Sequence, residues 1–291
     1  MDTATLPSQR KKEKRGELTI FCSYFPGTGK SYAMLEAADK ARQAGADVVI
    51  GLLSAEQWPE TEALAQKFEI LPHKTAVYAG QRSDEIDLGA CLKRLPQLIL
   101  IDELSHLNAD DSRHAKRYQD IEELLKAGMD VYTTLDVQHI ESIQDSVSSI
   151  LESPIRDRIP DRVFDQAARV EFIDIEPERL RQRFFEQKKE EMISAYSLPR
   201  LSALHEIGLR RCADRAALHT LTSHGKKEYC TREHILVCLS SAPSNEKIIR
   251  TAARMAGAFR CGFTALFVET KEFQWISQLD KDRLQANIHL A

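Results

Sequence analysis

The residues best suited to chemistry are Pro26-Gly27-Thr28-Gly29-Lys30-Ser31. Two glycines let backbone N–H groups converge on an anion. A lysine ammonium meets the charge of β- and γ-phosphates, and a serine hydroxyl suits a phosphate-bound magnesium ion. This pattern reads as a phosphate loop for ATP with Mg2+, with Gly27, Thr28, Gly29, Lys30, Ser31 and Tyr32 as its binding residues. The full pattern has a further glycine where this chain has Tyr24, within Ser23-Tyr24-Phe25, so the approach to the loop is atypical. A partner carboxylate is expected at the end of a buried strand, where it holds magnesium through water. Leu98-Ile99-Leu100-Ile101-Asp102-Glu103 supplies it. Asp102 is the candidate magnesium partner beside Ser31, and Glu103 is either a water-activating base or a solvated strand-end carboxylate. Thr133-Thr134-Leu135-Asp136-Val137-Gln138-His139 ends another strand. Thr134 or Gln138 is a candidate γ-phosphate sensor there, and Asp136 is an equally good candidate for a helix cap.

The elements that must position these residues alternate along the chain. Short apolar, β-branched runs at Leu18–Cys22, Val48–Leu53, Thr75–Tyr78, Leu98–Ile101, Asp130–Thr134 and Val170–Ile173 are separated by helix-period segments. That alternation predicts an α/β fold with a parallel sheet flanked by helices. Helices are expected at Lys30–Ala44, closed by Gly45, from Pro59, at Asp84–Leu95 before Pro96, and at Lys116–Ala127, closed by Gly128. Pro177 to Leu218 is charge-rich and helical, with Leu180, Phe184, Leu201 and Leu204 among its apolar positions, and predicts a helical pair. Residues 219–231 are polar and aperiodic and read as a linker. Strand, helix and strand then restart at Ile235–Leu239, Asn245–Phe259 and Phe263–Val268, so 232–291 reads as a second, partial α/β domain.

Composition narrows the class of protein. Hydrophobic residues are 43% and charged residues 29%, with a formal net charge of -4, which fits a soluble globular protein and argues against nucleic-acid binding. A basic cluster between Arg10 and Arg15 reads as a disordered arm covering residues 1–16. No apolar run reaches the roughly 18 residues needed to cross a bilayer, and no signal peptide is evident, so a cytoplasmic protein is expected. The six cysteines lack a C-x-x-C pair and read as reduced core residues.

Several strings in this order resemble a known family. Pro26 to Ala37, Ile101 to His106, Ser112-Arg113-His114, Arg117 to Leu125 and Val131 to Ser142 resemble the cytoplasmic input domain of the KdpD sensor kinases, which respond to potassium limitation. Pro160 to Asp165 and Leu209 to Arg215 extend the likeness, which covers roughly Arg15 to Arg215. In that family the loop's leading glycine lies one place earlier, at Ser23 of this chain, so the departure persists. The resemblance implies a P-loop domain over 17–218, with 177–218 as a helical extension, followed by a universal-stress-protein-like domain. It also implies a role as a regulatory ATP-binding input module, with a Kdp sensor kinase or a potassium-uptake component as partner. Some relatives bind cyclic di-AMP in the second domain through a Ser-x-Ser loop and a Phe-Thr-Ala-x-Tyr strand. The matching residues are Ser240, Phe263, Thr264 and Ala265, whereas Ala242 and Phe267 lack the expected hydroxyls. The family's transmembrane helices and kinase boxes are not found in this sequence, and His205-Glu206 lacks the flanking pattern of a phosphoacceptor. Two alternatives to a regulatory module are an ATPase or protein kinase using Glu103 as base, and a scaffold that binds no nucleotide.

Overall fold

A computed structural model describes residues 15–54, 59–78, 81–110, 112–187, 192, 196–223, 234–259, 261–269 and 277–291. Its internal contacts divide the chain into two units, Met1–Ala216 and Ala217–Ala291. The first unit is an α/β structure around a six-stranded sheet. Its strands are β1 (Leu18–Ser23), β2 (Val48–Leu52), β3 (Glu69–Ile70), β6 (Leu98–Ile101), β7 (Asp130–Asp136) and β8 (Arg169–Phe172). They lie in the order β3-β2-β6-β7-β1-β8, with every pairing parallel. Parallel strands joined by crossover helices are covered on both faces. The fully apolar β6 accordingly keeps Ile99, Leu100 and Ile101 at 0% exposure.

Among the described residues its α-helices are α1 (Lys30–Gln43), α2 (Pro59–Ala65), α3 (Leu88–Arg94), α4 (Arg117–Lys126), α5 (Gln144–Leu151), α6 (Asp161–Asp165) and α7 (Pro177–Glu186), and α8 (Leu198–Ser223) starts in this unit and runs past Ala216. Met34, Leu35 and Ala38 of α1 pack with Phe21, Ile50 and Leu100 on one face of the sheet. Ile121 and Leu124 of α4, Leu180 and Phe184 of α7, and Leu201 and Leu204 of α8 join a larger core with Ile20, Cys22, Ile99 and Val131. The expected helical pair is thus α7 and α8, held by their apolar positions. Helix α8 runs on to Ser223, into the stretch assigned to the linker, and residues 224–231 lie outside the described residues, as do residues 1–14 of the basic arm.

Three expectations need correction. The run Thr75–Tyr78 belongs to a longer strand, β4 (His73–Tyr78), which pairs antiparallel with β5 (Gln81–Ile86) in a separate two-stranded ribbon. The helix expected over Asp84–Leu95 therefore begins later, at Leu88. The Asp87 carboxylate accepts the Ala90 N–H and caps the start of α3. Asp84 and Glu85, whose charges suited a first helical turn, instead continue the strand. The cysteines also divide: Cys22 and Cys91 are buried, but Cys238 is exposed and Cys261 only half-buried, while Cys230 lies outside the described residues.

The second unit contains the parallel pair β9 (His234–Cys238) and β10 (Gly262–Leu266), with α9 (Asn245–Phe259) and α10 (Gln278–Leu290). Val237, Leu239, Ile249, Ala252 and Leu284 form its small core. The terminal helix α10 was not foreseen from the sequence; Ser277 caps it by accepting the Asp280 N–H.

Candidate functional site

Because β1, β6 and β7 are parallel, their carboxyl ends emerge at one edge, with Ser23 paired to Asp136 and Ile101 to Thr133. This is the edge at which open α/β sheets hold ligands. Strand β7 lies between β1, which leads into the loop, and β6, which carries Asp102. Ser31, Asp102, Thr134 and Asp136 therefore converge although they are far apart in sequence.

Gly27 and Gly29 adopt φ of 83° and 102°, in the left-handed region that a side chain disfavours. Lys30 opens α1 and turns its ammonium back across the edge. Its Nζ lies 2.6 Å from Asp136 Oδ1 and donates to the Phe25 carbonyl at 3.2 Å. The Ser31 hydroxyl donates to Asp102 Oδ2 at 3.0 Å. Asp102 is 2% exposed and also accepts the Ser54 N–H, the Glu103 N–H and the Thr134 hydroxyl. Thr28 Oγ1 is buried in the loop with no hydrogen-bond partner among the described residues. A partnerless buried hydroxyl is costly, and an anion oxygen or a magnesium-bound water at the loop would supply what it lacks. The residues present thus fit a magnesium-bound polyphosphate, with Lys30 as its counter-charge and Ser31 and Asp102 at the metal.

Some assignments change in the folded chain. Asp136 does not cap the short helical turn that follows it, which has no side-chain cap; its carboxylate is the ion-pair partner of Lys30. Thr134 has its hydroxyl engaged at both ends, donating to Asp102 and accepting the Glu103 N–H at 3.0 Å, so it orients the strand-end carboxylate. The atypical Ser23 and Tyr24 are part of the core. Ser23 Oγ donates to the Ile173 carbonyl at 2.9 Å, and Tyr24 OH donates to the Ile175 carbonyl at 3.0 Å. Both residues are 0% exposed, and His205 packs edge-on against Tyr24 while its Nε2 meets Asp174 Oδ1 at 2.6 Å. The missing glycine is thereby replaced by an anchored strand end, and His205 is a structural residue.

Glu103 has φ of 60°, an uncommon value for a side-chain-bearing residue. Its carboxylate lies 3.5 Å from Arg117 Nη1 and 3.8 Å from His106 Nδ1. The protein around it, and then neighbouring Asp102, push its pKa up, against Arg117 and His106; water reaches 52% of the side chain and limits the shift. Arg117 is 1% exposed and also donates to the Asp102 carbonyl and pairs with Glu85. Burial pushes Glu85 up, but its hydrogen bond to His106 and the charges of His106 and Arg117 outweigh this and hold its carboxyl below the ordinary value. His114 pairs with Glu123, and His139 Nδ1 donates to the Asp157 carbonyl.

The loop borders two cavities. One of about 470 Å³ takes in Asp102, Glu103, His106 and Asp136. The other, about 710 Å³, runs along Gly29 and Tyr32 to Pro59 and Arg183. Sequence reading missed Arg183, because nothing local marks one arginine of an arginine-rich helix as facing a loop some 150 residues earlier.

In the second unit three of the four candidates, Phe263, Thr264 and Ala265, are consecutive on β10, which pairs with β9. Ser240 follows the carboxyl end of β9, and its carbonyl accepts from Asn245 and Asn287. Phe263 pairs with Ile235 near the opposite end, and Thr264 Oγ1 meets His234 Nε2 at 2.8 Å. Phe263 and Ala265 pack partly buried against the small core.

A family profile described as the osmosensitive K+ channel His kinase sensor domain, KdpD, matches residues 14–216. The sensor protein KdpD of Clostridium acetobutylicum is 42% identical over 98% of this chain and 33% of its own length. That of Escherichia coli K12 is 38% identical over 100% of this chain and 34% of its own length. A putative sensor protein KdpD of Synechocystis is 35% identical over 98% of this chain and 78% of its own length. The chain thus spans about a third of the first two relatives. Because that profile spans the loop, the buried strand-end carboxylate and the whole of the sheet, the chain belongs to the KdpD sensor-domain family.

Proposed function

We propose that the first unit is a regulatory module that binds ATP with Mg2+ and forms the input end of a potassium-responsive two-component signalling system. Lys30 and the amides of Gly27 to Ser31 hold the phosphates, and Ser31 and Asp102 hold the magnesium. Binding stabilises one arrangement of the turn from Leu104 to Arg113, which carries His106 and leads to Arg117. The partner is the sensor kinase or a potassium-uptake component of that system; the relatives themselves are named sensor proteins. The observation that carries this reading is the convergence of Lys30, Ser31 and Asp102 at one sheet edge beside the partnerless hydroxyl of Thr28.

Calorimetric titration with Mg-ATP tests it. The wild-type protein should bind, and Lys30→Ala should remove most of the affinity; absence of binding by the wild type refutes the reading. A second reading, ATP hydrolysis with Glu103 as base, draws on the strained φ and half-open carboxyl of that residue. Steady phosphate release lost in Glu103→Gln would favour it, and binding without turnover would exclude it.

A further inference from the structure

We propose that Arg183, on α7, is a ligand for the α- and β-phosphates of the bound nucleotide, making α7 the wall of the site on its nucleoside side. The proposal rests on the Mg-ATP reading above and specifies a contact that the loop motif does not contain.

The placement of Arg183 follows from its neighbours in the helix. Leu180 and Phe184 are spaced i, i+4, are 0% and 1% exposed, and lock one face of α7 into the core. Phe184 lies edge-on to Phe25, at 6.2 Å between ring centres, and Phe25 immediately precedes the loop. The register of α7 is therefore fixed against the root of the loop. Arg183, adjacent to Phe184, is turned to the loop's open flank. Its Nη1 stands 4.0 Å from where a β-carbon on Gly29 would sit.

Charge then distinguishes it. Lys30 already has Asp136 as its counter-charge. Arg183 is half-buried and has no side-chain hydrogen bond or ion pair among the described residues. Glu186, on the same helix and at the same cavity, takes the Gln182 amide instead. A guanidinium with no hydrogen-bond acceptor among the described residues, beside a glycine loop, is a fork of donors that phosphate oxygens match.

The side of the loop sets which phosphates these are. Arg183 borders the 710 Å³ cavity with Gly29 and Tyr32, whereas Asp102 and Glu103 border the other one. Gly27, Lys30 and Ser31 border both cavities, whereas the carboxylate that fits the metal borders only the one without Arg183, so the γ-phosphate end is assigned to that side. Contact with the α- and β-phosphates leaves ATP and ADP equally dependent on the arginine.

The test is titration of the whole chain with Mg-ATP and Mg-ADP, for the wild type, Arg183→Ala, Arg183→Lys and Arg179→Ala. Arg179 is exposed on the same helix and does not border the cavity. Loss of a charge-assisted hydrogen bond predicts about tenfold weaker binding of both nucleotides by Arg183→Ala. Arg183→Lys should recover part of the loss, and Arg179→Ala should bind as the wild type does. Unchanged affinity in both Arg183 variants overturns the proposal and leaves the Mg-ATP reading standing. A loss confined to ATP also overturns it, by placing the arginine on the γ-phosphate. A wild type that binds neither nucleotide overturns the Mg-ATP reading itself.

Discussion

The ion pair between Lys30 and Asp136 makes a counter-intuitive prediction: removing a carboxylate from the site should strengthen nucleotide binding. The two atoms are 2.6 Å apart, and the side chains are only 10% and 14% exposed. A lysine ammonium has three donors. Here one goes to Asp136 and one to the Phe25 carbonyl. To meet β- and γ-phosphates the ammonium must loosen its hold on Asp136, and the incoming anion must approach that carboxylate's negative charge. Hydrogen bonds to charged groups contribute about 1.5–3 kcal/mol net. Asp136→Asn keeps the shape and an acceptor oxygen but removes the charge, so it recovers only part of that, about 1.4 kcal/mol. This corresponds to roughly tenfold tighter Mg-ATP binding. Calorimetry at fixed ionic strength measures it directly, and Lys30→Ala in the Asp136→Asn background should abolish the gain. Unchanged or weaker binding by Asp136→Asn would refute the reasoning, because it would show that Asp136 aims the lysine and does not compete for it.

Two further outcomes follow from other contacts. Glu85→Gln strips the 1%-exposed Arg117 of its buried partner and should destabilise the fold by about 3 kcal/mol at neutral pH, read by denaturant unfolding. The folded Glu85 carboxyl lies below its ordinary value of 4.5, so its contribution is complete above that pH and is lost as pH falls through the folded value. The gap between wild type and variant should therefore narrow on acidification below about pH 4.5; a gap that stays constant would remove the ion pair from the explanation. At Gly208 of α8 a β-carbon would lie 3.2 Å from side-chain atoms of Tyr24, Val137 and Phe172. Overpacking of about 1–3 kcal/mol should offset the roughly 1 kcal/mol that alanine gains over glycine inside a helix, so Gly208→Ala should not stabilise the fold; a melting temperature clearly above that of the wild type would contradict this.

Much of the site was legible because its chemistry is local. A glycine-rich loop between an apolar strand and a helix needs only neighbouring residues to declare it, and four consecutive apolar residues before Asp102 mark a buried strand whose end is polar. The ribbon β4–β5 was not legible. Asp84 and Glu85 suit a helix start as well as a strand facing basic partners, and the strand wins because Glu85 meets His106 and Arg117 from distant parts of the chain. The same limit applies to Asp136, a plausible cap by sequence and an ion-pair partner in fact.

The sequence by itself determined the alternation of strands and helices, the glycine-rich loop, the strand-end position of Asp102 and the likeness to one family, since each depends on residue type and spacing within a short window. The tertiary structure alone decided that β7 lies between β1 and β6, bringing Thr134 and Asp136 to Asp102 and Lys30. It also decided that Tyr24 is an anchor and that Arg183 faces Gly29. These are relations between residues far apart along the chain, fixed only when the apolar faces of separate helices and strands close on a common core.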